Sequence, residues 1–354
     1  MTDPANSNTP LRILIVGPMP PPYTGTTTLL EYLVDLLRLE PSAALEVVNT
    51  LGVRGKGLAG VFRFASLIVR AYGLARRSDV VTVHCSTTGL HVIGMAMYLV
   101  ALAARRPLIV RKFAGDDYQT TLGPVGRRVA EFVLRRCALY LAESHLLLEA
   151  ATKRGIPRLD WYPNSRPIPK EGAPAKEGPC RKFVYIGRII EGKGMAVLAE
   201  ASKQLPPGLS IDLYGPWGDD LEKNLFDHCE NVTWHGPLRP EAIIPTFQQY
   251  DASLLPTHYR GEGYPGAVLE SYLAGLPVIA TRWLALPEII DDSVGILVAP
   301  YSAEELAAAM VRLSEDTELY RSLCANTRNK AAFFGADRWA TWFLERCRAI
   351  ARSD

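Results

Sequence analysis

Apolar runs of strand length alternate with longer helical patterns along the chain. In the first half LRILIVG, LEVVNT, VVTVHC, PLIVRKF and LYLAES are short continuous apolar blocks, while residues 26–39, 89–104 and 125–137 carry helix-length patterns. Continuous apolar strands between helices are buried on both faces, which predicts a parallel sheet. The alternation breaks at WYPNSRPIPKEGAPAKEGP, residues 161–179, where proline, glycine and charge replace any period. It resumes with KFVYIGR, LSIDLYG, NVTWHG, DASLLPT, LPVIATR and GILVAP, so the second half predicts another doubly wound sheet, with Trp234 read as core. Residues 336–350 have helical periodicity with Trp339, Trp342, Phe343 and Cys347 as the apolar set. The expected layout is α/β: a Rossmann-like domain over 1–165, a linker over 166–180, a second Rossmann-like domain over 181–333, and a C-terminal helix in 334–354 packing back toward the first domain. Two such domains are expected to face each other across a cleft at their strand carboxyl ends, where loops and helix N-termini collect.

Composition narrows the function more than the fold. Lys plus Arg number 39 against 37 Asp plus Glu, leaving +2, so no global field exists to neutralise a run of nucleic-acid phosphates and any anion must be bound locally. The six cysteines lie at long, irregular spacings without a CxxC pair, which indicates neither a zinc site nor a disulfide framework. The polar N-terminus lacks the basic and apolar blocks of a signal peptide, and a cytoplasmic location is expected. Residues 89–104, about 16 in number, fall short of the roughly 20 needed to span a bilayer and read as a buried helix. Residues 54–77 mix apolar side chains with Lys56, Arg63, Arg70, Arg76 and Arg77; they read either as a basic amphipathic helix on an anionic membrane surface or as an ordinary packed helix with a solvated basic face.

Three segments carry candidate chemistry. In FVYIGRIIEGKG a strand ends at Gly187, a loop carries Arg188 and Lys193, and Gly194 opens a helix. A helix N-terminus beside a guanidinium and an ammonium suits a diphosphate. In HYRGEGYPGAVLESYLAGLPVIATR, Glu262 and Glu270 are separated by seven residues, with Gly263, Tyr264, Pro265 and Gly266 between them. Glu262 is expected on the loop and Glu270 within the first turns of a helix that Gly275 ends. Two carboxylates beside exposed backbone N–H groups suit sugar hydroxyls and a nucleotide sugar. In GPMPPPYTGTTT, Gly25 at a helix start allows phosphate approach or forms a rigid structural turn; neither a Walker A loop nor GxGxxG is present.

Taken together, GR followed by KG, Glu262 to Glu270 with GYP between, AGLPVIAT, LPEII and GILVAP make the second half resemble the family 4 retaining glycosyltransferases of GT-B fold. The resemblance covers about residues 183–313 well. It implies that Arg188 and Lys193 hold the donor diphosphate and stabilise the leaving group. It also implies that Glu270 holds the ribose, and that Glu262 contacts the transferred sugar with help from backbone N–H groups of residues 263–266. The implied reaction needs neither metal nor cofactor, the donor being a nucleoside diphosphate sugar of UDP or GDP type. The implied acceptor is a glycan or a polyprenyl-linked lipid, in cell-surface polysaccharide or glycolipid biosynthesis, with possible peripheral membrane contact and no nucleic acid. One departure stands out: where the family often has a histidine after the fourth strand, this chain has Phe113, so Lys112, Asp116 or Asp117 is expected to serve nearby, Asp116 first. His84 reads as a core histidine or a cleft residue, and Tyr214, Gly215 and Pro216 could approach the base. Two rival functions use the same residues: a glycosidase with Glu262 and Glu270 as its carboxylate pair, and a non-catalytic sugar-nucleotide binding protein.

Overall fold

The computed structural model describes residues 9–52, 57–176 and 178–352, which form two compact units, 1–164 with 336–354, and 165–335. The first unit runs β1 (Leu11–Gly17), α1 (Gly25–Leu39), β2 (Ala43–Asn49), α2 (Leu58–Ala75) and β3 (Val80–Ser86). A helical run follows, composed of α3 (Thr87–Gly89), a π-helical turn at Leu90–Gly94 and α4 (Met95–Ala104). The unit continues through β4 (Leu108–Phe113), α5 (Tyr118–Thr121), α6 (Pro124–Arg136), β5 (Leu139–Ala142), α7 (His145–Lys153) and β6 (Leu159–Trp161). All the strands are parallel, in the order β2-β1-β3-β4-β5-β6.

Local chemistry sets the element ends. Thr24 caps α1, its hydroxyl accepting from the Thr27 amide while Thr27 answers back to the Thr24 amide, which satisfies two otherwise orphaned donors. Arg105 closes α4 in the left-handed conformation. The sheet core of Leu14, Val16, Val81, Val83 and Val110 packs under Leu67, Ala71, Met97 and Val133 from the covering helices. Residues 89–104, expected as a buried helix, are buried on one side only, and Leu99 and Leu102 are exposed. The segment lies in the outer helical layer, so only the side facing the sheet and its neighbours is covered.

The second unit runs β7 (Lys182–Ile186), a 3-10 turn at Glu191–Lys193, α8 (Met195–Ser202), β8 (Ser210–Tyr214) and β9 (Val232–Trp234). After them come a 3-10 turn at Pro240–Ala242, α9 (Ile243–Phe247), β10 (Ala252–Leu255), α10 (Gly266–Leu273), β11 (Val278–Thr281), α11 (Leu286–Ile289), β12 (Gly295–Val298), α12 (Ala303–Glu315) and α13 (Thr317–Phe333). Its parallel order is β12-β11-β10-β7-β8-β9, with the connection reversing direction between β7 and β10. Ligands of such sheets bind at that switch, outside the carboxyl ends of the strands. The proline-rich stretch after Asn164 packs on this unit: the Arg166 amide donates to Phe334 O at 3.0 Å, and Lys176 Nζ donates to the carbonyls of Gln248 and Tyr250. Trp234, expected in the core, is 47% exposed. Its strand lies at the sheet edge, where no neighbouring strand covers the ring; the indole N–H donates to Gly215 O and the ring meets Trp217 edge-on. The chain ends in α14 (Ala336–Arg352), which belongs to the first unit. There Trp339 meets the edge of Trp161, and Trp342 stacks on Tyr162.

Candidate functional site

The switch between β7 and β10 is built by close backbone approach. Gly194, the residue before α8, sits at φ 77°, and a Cβ there would lie 1.9 Å from Pro256 O, just after β10. Only glycine fits, because both the left-handed backbone and the missing side chain are required. Likewise Gly215, at φ 138°, abuts the Gly187 carbonyl, bringing the ends of β8 and β7 together. The loop after β7 is further fixed by Tyr185, whose hydroxyl donates to Arg188 O at 2.8 Å, and by the Ile189 amide on Pro216 O.

Arg188 and Lys193 converge on one ring. The Arg188 guanidinium carbon lies 5.5 Å from the Tyr259 ring centroid and Lys193 Nζ lies 5.6 Å from it. Lys193 Nζ donates to Glu262 Oε2, and Thr257 Oγ1 donates to the same oxygen at 2.8 Å. Glu262 is buried and Lys193 nearly so, which makes this a largely desolvated ion pair that salt screens little. Tyr259 is itself anchored, its carbonyl accepting from the Trp283 indole at 2.9 Å. His258 packs on Tyr301, and burial pushes its imidazole below the usual range.

Eight residues on, Glu270 projects from α10. Its Oε1 accepts from Arg166 Nε at 2.7 Å, both side chains being largely buried. A Cβ on Gly266, the first residue of α10, would fall 1.7 Å from Arg166 Nη2, so the guanidinium lies against the helix start. Tyr264 is buried, and its hydroxyl donates to Glu288 Oε2 at 2.6 Å, bracing the turn that leads from Glu262 into the helix. Thus the structure groups Arg188, Lys193 and Glu262 around Tyr259, and Glu270 with Gly266. Arg166, Thr257 and Tyr259 were absent from the sequence expectation. Arg166 had no local signal, since its partner is 104 positions away.

In the first unit, the end of β4 holds buried charge. Arg111 and Lys112 are both buried, and burial pushes each below its usual range. The Arg111 guanidinium lies 4.2 Å from the Tyr162 ring centroid and 4.8 Å from that of Phe113. Lys112 Nζ donates to Ala114 O at 2.6 Å and reaches Asp116 Oδ1 at 3.5 Å. Ala114 takes the left-handed conformation at φ 76°, and its amide donates to Glu143 Oε2 at 3.0 Å. Asp116 also accepts from Thr87 at 2.8 Å and from Thr121 at 2.7 Å. Phe113 is buried beside His84, which itself contacts Thr82. Gly25 begins α1 with open space where a side chain would be.

Residues 180–316 match the glycosyl transferases group 1 family. This chain is similar to an exopolysaccharide phosphotransferase of Streptomyces coelicolor, 29% identical over 56% of this chain and 22% of that protein. It is also similar to the putative colanic acid biosynthesis glycosyltransferase WcaL of Salmonella typhimurium, 28% identical over 43% of this chain and 40% of the relative. The matches therefore span less than half the length of these relatives. Among solved structures, HepE of Anabaena in complex with UDP aligns with a TM-score of 0.76 and 18% identity, covering 96% of this chain and 100% of that one. That likeness shows the GT-B fold for the two units, and the segment that matches the group 1 family contains Arg188, Lys193, Glu262 and Glu270.

Proposed function

We propose that this chain is a retaining, metal-independent glycosyltransferase that moves a sugar from a nucleoside diphosphate donor of UDP or GDP type to a glycan or polyprenyl-linked acceptor, in cell-surface polysaccharide or glycolipid biosynthesis. The observation that carries this reading is the convergence of Arg188 and Lys193 on the ring of Tyr259 at the β7–β10 switch, with Lys193 paired to Glu262. Fixed cations in a partly dry site can meet the charge that builds on a departing diphosphate without a divalent ion. Lys193 and Arg188 hold the diphosphate. Glu262 contacts the transferred sugar, while Gly187 and residues 263–266 allow close approach of phosphate or hydroxyls. Glu270 accepts from the ribose, and Arg166 aims that carboxylate across the start of α10. The first unit takes the acceptor, with Gly25 at a helix start and Asp116 retaining room for one more donor beside Thr87, Thr121 and Lys112. The enzyme works on the cytoplasmic side.

The test is calorimetric titration of the full chain with UDP, GDP and their sugars, followed by acceptor-dependent release of the nucleoside diphosphate. Binding by a nucleoside diphosphate that Lys193→Ala weakens at least tenfold is expected. Absence of heat with every nucleoside diphosphate would end the proposal, and sugar release without any acceptor would favour hydrolysis.

A further inference from the structure

We propose that the outer helical face of the first unit is a docking surface for an anionic phospholipid bilayer. It depends on that unit alone and not on the donor chemistry. Helix α2 buries Gly60, Leu67, Ala71 and Ala75, a seam that serves the core. At about 100° per residue, Leu58, Val61, Phe62, Val69 and Tyr72 gather within roughly 50° of a second line away from that seam. They are exposed by 78, 66, 72, 72 and 38%. Arg63 and Arg70, seven residues apart, line one flank of this stripe, Arg77 follows in the turn after the helix, and all three are exposed. Arg54 and Lys56, part of the same sequence expectation, lie outside the described residues.

The face continues beyond α2. Helix α4 packs beside it and exposes Leu99 and Leu102; α6 follows, exposing Val125 and Phe132. Tyr98 meets Phe132 edge-on at 5.5 Å, and Arg136 sits 4.0 Å from the Phe132 centroid. By length and apolarity alone, residues Leu58–Ala75 and Thr87–Ala104 each reach the range of a membrane span.

Charge selects the occupant. No Asp or Glu occurs between residues 47 and 78, or between 80 and 115. A second copy would bring the same arginines against these, a like-charge contact that disfavours self-association. A bilayer surface offers apolar chains and anionic headgroups at adjoining depths, as a helix with an apolar stripe and an arginine flank requires.

Flotation of the full chain with phosphatidylcholine vesicles, with and without about one third phosphatidylglycerol, tests the proposal. Binding to the anionic vesicles and at least tenfold weaker binding to the neutral ones are expected. Arg70→Glu should weaken anionic binding about fivefold or more, and the double change Leu58→Ser with Phe62→Ser at least tenfold. These side chains are exposed, and an unchanged melting temperature confirms that each variant folds. Equal binding to both vesicle types, no binding to either, or variants that float like the parent would overturn the proposal. So would light scattering that shows a dimer dissociated by Phe62→Ser without vesicle binding, since the face would then belong to a second copy.

Discussion

The two units share a six-stranded parallel architecture and both bury charge near the carboxyl ends of their strands, yet they satisfy that charge differently. In the second unit each such cation has a carboxylate partner: Lys193 with Glu262, Arg166 with Glu270. In the first unit Lys112 leans on the Ala114 carbonyl with Asp116 at longer range, Arg111 on two rings, and Glu143 accepts from a backbone amide. A cation held by a side chain can exchange that partner for an incoming phosphate without moving backbone. A cation held by carbonyls cannot, because the chain itself is its counter-group. The first arrangement suits a ligand site, and the second suits a fixed loop.

The sharpest way to break this distinction is at the two lysines. Lys193→Ala should cost about 10²- to 10³-fold in turnover, on the order of 3–4 kcal/mol, as for removal of a fixed charge-stabilising donor. The measurement is acceptor-dependent release of nucleoside diphosphate, and an unchanged rate would remove Lys193 from the chemistry. Lys112→Met should instead lower the stability of the first unit by about 1–3 kcal/mol, because Ala114 O loses its buried donor. Urea unfolding reads that loss, while nucleotide affinity should stay at the parental value. If Lys112→Met weakens the nucleotide as much as Lys193→Ala does, the distinction between exchangeable and fixed cations fails.

Smaller effects sharpen the role of Glu270. Glu270→Gln removes the charge shared with Arg166 and should weaken nucleoside diphosphate binding by about 1.4 kcal/mol, near tenfold, as for a lost hydrogen bond to a charged group. Uridine without phosphates should lose a similar factor, since the contact is placed on the ribose. Loss confined to the diphosphate would move Glu270 to the phosphate side of the site.

How much of this was legible in the chain follows from the range of each interaction. Gly194 and Gly275 could be read as helix-boundary glycines because their backbone demands are local, and the structure places both in the left-handed region. The sheets were legible as alternation, but not the edge position of β9, so Trp234 looked the same as a core residue. Strand order is set by pairing between distant segments, which a local period does not encode. Arg166 was hidden for the same reason: it stands in a proline-rich stretch without periodicity and meets Glu270 only after the second unit folds. The pair Arg111 and Lys112 did leave a trace, two cations ending an otherwise apolar strand, but their partners Tyr162 and Ala114 required the tertiary structure.

The weakest expected effect isolates the first unit through His84. This imidazole is buried, its Nε2 lies 3.2 Å from Thr82 Oγ1, and its Nδ1 has no hydrogen-bond partner among the described residues. Burial, with Arg111 nearby, pushes it well below the ordinary histidine range, so the folded unit keeps it neutral while the unfolded chain protonates near pH 6.5. Below that pH the unfolded state binds the extra proton, and stability is lost as pH falls, by up to about 1.4 kcal/mol per pH unit. His84→Gln can keep the Thr82 contact but cannot titrate, so its urea midpoint should fall less steeply than the parent's between about pH 7 and pH 5. Parallel slopes would mean that the histidine is protonated in the folded state as readily as in the unfolded one. The cationic cluster around Arg111 would then have to be open enough to water to tolerate another positive charge, contrary to the closed, carbonyl-held arrangement that separates this unit from the second.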